Sequence, residues 1–422
     1  MSEGARRPSI LFVTNTLGLA GAEKVLMALL EDIDRARYDV NLLSLIPLGE
    51  MFMDVPEGVR VLNARTSPVS VLSAHGHRAI SRQVARSLLH PRALGRFLVT
   101  LPRNLRWQWK RRREAQGIQL DKLCWELLAD AAPRLKHPFD LAVAYLEGGA
   151  TYYVAKHVRA GRKAAFIHVD YQQAGYCPAQ DAPFYRAYDA VFGVSSDVVR
   201  SVLQSHPWLT PKIHVFLNRV NRARIQAQAK EPGGFDDAFT GLRLLTVGRL
   251  HPQKAIDVAA EALALLRSRG INARWYVLGD GPEREPLERV IAKLGMTEDF
   301  RLLGSTRNPY PYMAQCDIYV QPSRFEGWGL AITEALSLGR PVVATACAGA
   351  REQVISGENG LLIGLPPNAE ELASAILRMT QDTDLQANLA RYRSEVSPKE
   401  RDAIETLYTL AQGGELPPDW SE

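Results

Sequence analysis

Residues 325–345 read FEGWGLAITEALSLGRPVVAT, and the spacing within this stretch decides how its half of the chain folds. Glu326 and Glu334 flank a glycine-bearing turn that runs into an apolar-periodic segment. The periodicity predicts a helix beginning near Gly329, with Leu330, Ile332, Ala335, Leu336 and Leu338 as its packed face. Backbone N–H groups from Gly327 to Leu330 then lie at the helix start, where unsatisfied donors and the helix dipole favour an anion. Carboxylates accept strongly from hydroxyls, so two of them around such a start suit a ligand carrying hydroxyls and phosphate, as a nucleotide sugar does. At this spacing alone the simpler reading is favoured, an acid stabilising a positive helix end.

The neighbouring residues change that balance. Gly241 to Val247 form an apolar strand that ends in Gly248-Arg249-Leu250, with Lys254 close behind and a helical pattern from Ile256 to Leu266. Two cations at the carboxyl end of a strand can hold a diphosphate, although alone they are equally solvated loop charges. Further strands are predicted at Trp275 to Leu278, Phe300 to Leu303, Asp317 to Gln321 and Pro341 to Ala344. A turn is expected at Gly349 and Glu352. Strand and helix alternate throughout, which is the pattern of a doubly wound α/β domain with its site residues at strand ends.

The order GRL with Lys254, LGDGPE, RLLG, QPSRFEGWGLAITEALSLGRPVVAT and GENGLLI resembles the C-terminal domain of retaining nucleotide-sugar glycosyltransferases of the GT-B fold, family 4-like and of the bacterial polysaccharide and glycolipid type. The resemblance covers Leu242 to Ile363. It implies two Rossmann-like domains facing across a cleft, with the donor site in the second. On the matching positions, Arg249 and Lys254 are the diphosphate pair and Glu334 takes the ribose hydroxyls. Glu326 faces the transferred sugar, Gly327, Trp328, Gly329 and Leu330 lend backbone N–H groups, and Leu302 and Leu303 touch the base. Ala255 departs from the glycine usual after the lysine, and Ala348 with Arg351 replaces a glycine and a proline before Glu352.

The N-terminal half carries the same architecture with fewer signals. Ser9 to Thr14 is a buried-type strand followed by a loop with Gly18 and Gly21, which resembles the family's acceptor-side loop, and then a helix through Leu30. Asp140 to Tyr145, Ala164 to His168 and Ala190 to Val194 read as further core strands. His168 ends its strand, where imidazole can donate to or accept from a sugar hydroxyl. Alone it would read as a satisfied strand-end histidine; the resemblance makes it catalytic with Glu326. Ser195 and Ser196 read as helix N-caps.

At 422 residues the chain exceeds one ordinary core, and 46% hydrophobic with 23% charged residues is a globular composition. The expected division is 1–225 for the first domain, with a basic helical insert near 66–135, then 226–395, and a C-terminal helix and tail over 396–422 that crosses back. Cys124, Cys177, Cys316 and Cys347 show neither disulfide nor zinc spacing, and no segment reaches membrane-spanning length, so a cytoplasmic protein is expected.

Charge is unevenly placed. From Gly58 through Arg113 there are 13 Lys or Arg and no Asp or Glu, whereas the remainder carries 38 basic and 46 acidic residues. Leu94, Phe97, Leu98 and Leu101 recur at helical spacing, Pro102 is expected to interrupt, and Leu105, Trp107 and Trp109 lead into Lys110 to Arg113. Two readings of this insert stand level: an amphipathic element on an anionic membrane surface, with Trp107 and Trp109 among headgroups, and a solvated basic hairpin packed on its domain. A nucleic-acid partner is not expected, since no reading motif accompanies the charge.

The reading that follows is metal-independent transfer, with retention, of a sugar from a nucleoside-diphosphate donor, expected to be a UDP-sugar. The acceptor is a glycan or lipid-linked hydroxyl in cell-surface polysaccharide or glycolipid synthesis, and no cofactor is implied. The alternatives are a nucleotide-sugar epimerase of the same fold and a non-catalytic nucleotide-sugar or nucleic-acid binding protein.

Overall fold

The computed structural model describes residues 6–71, 73–113, 121–218, 220–391 and 398–418. They divide into two compact units, one comprising the residues up to 218 together with those from 398 onward, the other the residues from 220 to 391.

The first unit contains β1 (Ser9–Thr14), α1 (Gly21–Asp32), β2 (Asp39–Ser44), β3 (Arg60–Val61), α2 (Ala74–Leu88), α3 (Pro91–Arg113), α4 (Asp121–Ala131), β4 (Phe139–Ala144), α5 (Gly149–His157), β5 (Ala160–Ile167), α6 (Pro178–Tyr185), β6 (Ala190–Gly193), α7 (Ser196–Ser205) and β7 (Ile213–Val215). Its parallel sheet has the order β3-β2-β1-β4-β5-β6-β7. β1 has an unbroken apolar centre, Ile10 to Val13, because helices cover both faces, and every residue of SILFVT is buried. The order reverses direction between β1 and β4, and such switch points open the ligand crevice of a doubly wound sheet.

The second unit contains α8 (Arg222–Gln228), β8 (Leu242–Val247), α9 (Ile256–Ser268), β9 (Ala273–Leu278), α10 (Arg284–Lys293), β10 (Phe300–Gly304), α11 (Tyr310–Gln315), β11 (Ile318–Gln321), α12 (Leu330–Ser337), β12 (Val342–Thr345), α13 (Ala348–Gln353), β13 (Gly360–Ile363), α14 (Ala369–Gln381) and α15 (Thr383–Arg391). Its sheet runs β10-β9-β8-β11-β12-β13, again parallel, with the switch between β8 and β11. The segment expected to turn around Gly349 is instead the short helix α13.

A last helix, α16 (Pro398–Ala411), packs in the core of the first unit. Tyr408 stacks on Tyr38 with ring centroids 4.4 Å apart, and its hydroxyl accepts from the Asp34 amide at 2.9 Å.

The insert forms α2, α3 and α4. Pro102 lies inside α3 without ending it. A mid-helix proline removes one backbone hydrogen bond and costs on the order of 3 kcal/mol, but α3 packs along α4, which holds the helix across the break. The insert is tied to the sheet domain by charge. The buried Asp130 on α4 accepts from Lys156 at 3.2 Å and from His157 at 2.7 Å on α5, and pairs with Arg96 of α3 at 3.4 Å. Hydrogen bonds from His157 and attraction to Lys156 outweigh burial and hold the Asp130 carboxyl below its usual range. The side chains of Lys110 to Arg113 lie outside the described residues.

Asp237 performs a similar service in the second unit. It accepts from Arg274 at 2.9 Å, Tyr276 at 2.6 Å and Arg243 at 3.2 Å, fastening the segment before β8 to β8 and β9. Burial opposes ionisation, yet these donors prevail and lower its pKa to about 2. The unfolded value is higher, so the stabilisation is complete above about pH 4 and is lost as pH falls toward 2. Asp237→Asn should therefore destabilise the second unit by about 2 kcal/mol at neutral pH and flatten the acid limb of its urea-unfolding profile. A variant with an unchanged acid limb would show that Asp237 does not carry it.

Candidate active site

At the carboxyl edge of the second sheet the chain leaves β8 through Gly248 and Arg249, turns over Pro252 to Lys254, and enters α9. Lys254 lays its aliphatic stem across Gly248, where a Cβ would stand 3.0 Å from its Cε. Ala255 caps α9 at φ +49°, the one non-glycine residue with positive φ among the described residues. A Cβ in that conformation costs about 1–2 kcal/mol. A glycine here would adopt the same turn without the strain.

Across the switch point β11 leads into Ser323 to Gly329. Two contacts stitch this loop to the lysine turn: the Arg324 amide donates to the Gln253 carbonyl at 2.7 Å, and Gln253 Nε2 donates to the Phe325 carbonyl at 2.9 Å. Arg324 also pairs with Asp257 at 2.6 Å. As a result the Lys254 ammonium meets the Glu326 carboxylate directly. Glu326 Oε1 accepts in addition from Gln321 Nε2 and Ser323 Oγ, each at 2.8 Å. A lysine has three donors, so two remain for a ligand. The Arg249 guanidinium is exposed on the same edge and makes no hydrogen bond or ion pair among the described residues.

Gly329 caps α12 at φ +79°, a left-handed turn that suits glycine. Trp328 pins this turn from below. Its indole donates to Thr333 Oγ1 at 2.9 Å, and its carbonyl accepts from Gln353 at 2.5 Å. Gly349 at the start of α13 lies so close that a Cβ would approach the Trp328 carbonyl to 2.2 Å. Glu334, one turn inside α12, is buried and accepts from the Tyr310 hydroxyl at 2.9 Å. Leu302 and Leu303 lie just before the end of the edge strand β10, whose register against β9 shifts between Leu302 and Gly304. The Gly279 amide donates to the Gly304 carbonyl at 2.8 Å, and Gly279 packs on the Gly248 backbone, so the ends of β10, β9 and β8 meet.

The expected donor-site residues therefore gather on one sheet edge. Sequence reading missed Gln253, Gln321, Ser323 and Thr345, whose hydroxyl donates to the Ser323 carbonyl at 2.5 Å. The polar pair in Gln321-Pro-Ser323 after an apolar strand was the available signal.

In the first unit Gly18 packs against Val71 and Gly21 starts α1. Asn15 bridges the switch point, donating to the Glu147 carbonyl at 2.8 Å and accepting from the Ala150 amide at 2.8 Å. Glu147 accepts from the backbone amides of His168 and Val169, which fixes the end of β5. The His168 ring lies 4.8 Å from that of Tyr145, and its Nε2 is 2.8 Å from the Tyr145 carbonyl. A carbonyl only accepts, so Nε2 carries the proton and Nδ1 presents a lone pair. Burial lowers the His168 pKa and keeps the ring neutral. Nδ1 is buried without a hydrogen-bond partner among the described residues. The imidazole is thus an acceptor toward any ligand, narrower than the donor-or-acceptor role read from sequence.

Residues 241–382 match the family model described as glycosyl transferases group 1. The second unit is a group 1 glycosyltransferase domain. Among curated relatives, the chain is 31% identical to the alpha-D-kanosaminyltransferase of Streptomyces kanamyceticus over 39% of this chain and 42% of the relative. It is 29% identical to the N-acetylgalactosamine-N,N'-diacetylbacillosaminyl-diphospho-undecaprenol 4-alpha-N-acetylgalactosaminyltransferase of Campylobacter jejuni over 54% of this chain and 61% of the relative. The chain thus spans about half the length of the curated relatives it matches. Anabaena HepE, solved in complex with UDP-glucose, superposes over 96% of this chain and 100% of its own with a TM-score of 0.62 at 18% identity. The sucrose-phosphate synthase of Thermosynechococcus elongatus does so over 96% and 97% with a TM-score of 0.60 at 16% identity. The fold is GT-B, and the group 1 glycosyltransferase domain supplies its second Rossmann-like unit.

The strain at Ala255 gives a direct test. Ala255→Gly should raise stability by about 1 kcal/mol, a gain of roughly 2–4 °C in the melting temperature of a unit of this size. A lowered melting temperature in differential scanning calorimetry would show that the left-handed turn costs nothing.

Proposed function

We propose that this protein transfers a sugar, with retention, from a nucleoside-diphosphate sugar to an acceptor hydroxyl. The observation that carries the reading is the Lys254–Glu326 pair at the switch point of a group 1 glycosyltransferase domain, beside the Arg249 cation, which has no ion-pair partner among the described residues. A UDP-sugar is the donor we favour, consistent with the UDP-glucose seen in HepE.

During transfer the bond from the anomeric carbon to the β-phosphate oxygen breaks, and a bond from that carbon to the acceptor oxygen forms. The acceptor proton passes to the departing phosphate oxygen. Negative charge grows on the diphosphate, so preorganised donors there lower the barrier most. Arg249, the spare donors of Lys254 and the amides before α12 fill that role. Glu326 orients the sugar while holding Lys254 in place. Glu334 receives the ribose hydroxyls, Leu302 and Leu303 offer edge-strand backbone to the base, and His168 accepts a sugar hydroxyl through Nδ1.

For the acceptor we propose a glycan on a lipid carrier, met at the cytoplasmic face of a membrane. Relatives named for undecaprenol-linked and lipopolysaccharide-core glycans support it. Among the described residues no helix is long and apolar enough to cross a membrane. The epimerase and binding-protein readings gain no observation of their own.

Replacing Arg249 or Lys254 by Ala should remove a charge-assisted contact of about 1.5–3 kcal/mol, weakening UDP binding roughly ten- to a hundredfold in calorimetry. Unchanged affinity in both variants would refute the diphosphate assignment. Activity should persist in a chelator, because the phosphate charge is met by protein cations; loss that Mg²⁺ restores would assign that work to a metal.

A further inference from the structure

Helix α3 turns apolar side chains outward as well as inward, where Ala93, Leu94, Phe97 and Leu101 are buried or partly buried. The side chains it buries include two amides, Asn104 and Gln108, each 3% exposed, which face a small recess lined also by Trp107, Trp125 and Gln180. The side chains it shows to solvent are apolar: Leu98 at 57%, Val99 at 80%, Leu105 at 46% and Trp109 at 54%. Leu98, Pro102, Leu105 and Trp109 recur at three- and four-residue spacing, so they form one stripe along the helix. Leu89, at the junction of α2 and α3, is 81% exposed and extends the apolar surface. Trp107, expected among headgroups, turns inward instead.

Arginines flank this stripe on α3 and stand exposed on the helix beside it. Arg103 and Arg106 are exposed on α3, and Arg78, Arg82 and Arg86 are exposed at four-residue spacing on the adjoining α2. Like charges at that spacing disfavour a helix. Arg78, Arg82, Arg86 and Arg106 make no ion pair among the described residues, and neither α2 nor α3 contains an acidic residue to relieve them. A surface both apolar and positive has one natural complement, an interface with hydrocarbon beneath anionic headgroups. A second protein chain would cover the leucines and leave the arginines unmatched unless it were acidic, and nucleic acid would match the arginines and leave the leucines wet.

We propose that the outward face of α3, with the arginine row of α2, seats this protein on an anionic membrane surface. Leu98, Val99, Leu105 and Trp109 enter the headgroup region, and the arginines bind lipid phosphates. The buried amides and the Arg96–Asp130 contact fix the helix so that this face points outward. The inference does not rest on the transferase reading.

The test is flotation of the full chain with vesicles of phosphatidylglycerol and phosphatidylcholine, or of phosphatidylcholine alone. Binding to the anionic vesicles is expected, with release near 1 M salt, where charges are screened beyond about 3 Å. R103Q/R106Q should weaken partition by roughly 25-fold, about fivefold per arginine. L98Q/V99Q/L105Q/W109Q should weaken it about tenfold or more while leaving the arginines in place. Both variants alter exposed side chains only, so thermal unfolding and UDP affinity should match the wild type. Altered UDP affinity would concern the donor site and not this surface. Equal binding to both vesicle types, or undiminished binding by the apolar variant, would overturn the proposal. So would a wild-type dimer in sedimentation velocity that the apolar variant dissolves, or binding to oligonucleotides in preference to vesicles.

Discussion

The ion pair between Lys254 and Glu326 is the constraint on which the candidate site depends. It joins the first turn of the second unit, after β8, to the loop that follows β11, across the point where the strand order reverses. Each partner is held from its own side. Lys254 is aimed by the strained Ala255 and by the absence of a side chain at Gly248; Glu326 is held by Gln321 and Ser323. A partly buried pair of this kind is preorganised, because its hydrogen bonds are already formed when a ligand arrives. The lysine keeps two donors to spend on a phosphate, and the carboxylate keeps its second oxygen for a hydroxyl.

Much of the second unit was legible in the sequence. Apolar runs bounded by glycine turns gave its strands, and the start of α12 at Leu330 follows from the periodicity after Gly329. Legibility was high there because each site residue ends a strand or begins a helix, positions that turn chemistry marks. The bonds among them were not legible. Nothing in the order of residues says that Gln253 donates to the Phe325 carbonyl or that Trp328 holds its turn through Thr333 and Gln353, since these contacts join segments brought together only by the sheet. Gly349 was read as a turn residue, yet its lack of a side chain serves a close approach at the start of a helix.

In the first unit the sequence marked strands and the place of His168, and left its chemistry open. The tautomer follows from the Tyr145 carbonyl on one nitrogen, and the neutral state from burial. Asn15 and Glu147, which hold that switch point, sit in stretches without a distinctive spacing. The insert misled in two ways. Pro102 fails to end α3 because packing on α4 outweighs the local preference, and α3 carries a second apolar stripe that faces outward beside the one that faces its domain.

If the pair works as a unit, its members cannot contribute independently. The most direct measurement is a double-mutant cycle on UDP affinity, using Lys254→Ala, Glu326→Gln and their combination in calorimetry. Glu326→Gln frees the lysine, so affinity should rise about fivefold, or about 1 kcal/mol; Lys254→Ala should lower it, and the double variant should resemble Lys254→Ala, with Glu326 silent once the lysine is gone. The account predicts a coupling energy of about 1 kcal/mol or more, within the range found for residues in direct contact. Effects that add to within about 0.5 kcal/mol would contradict it, showing that lysine and glutamate meet the donor separately.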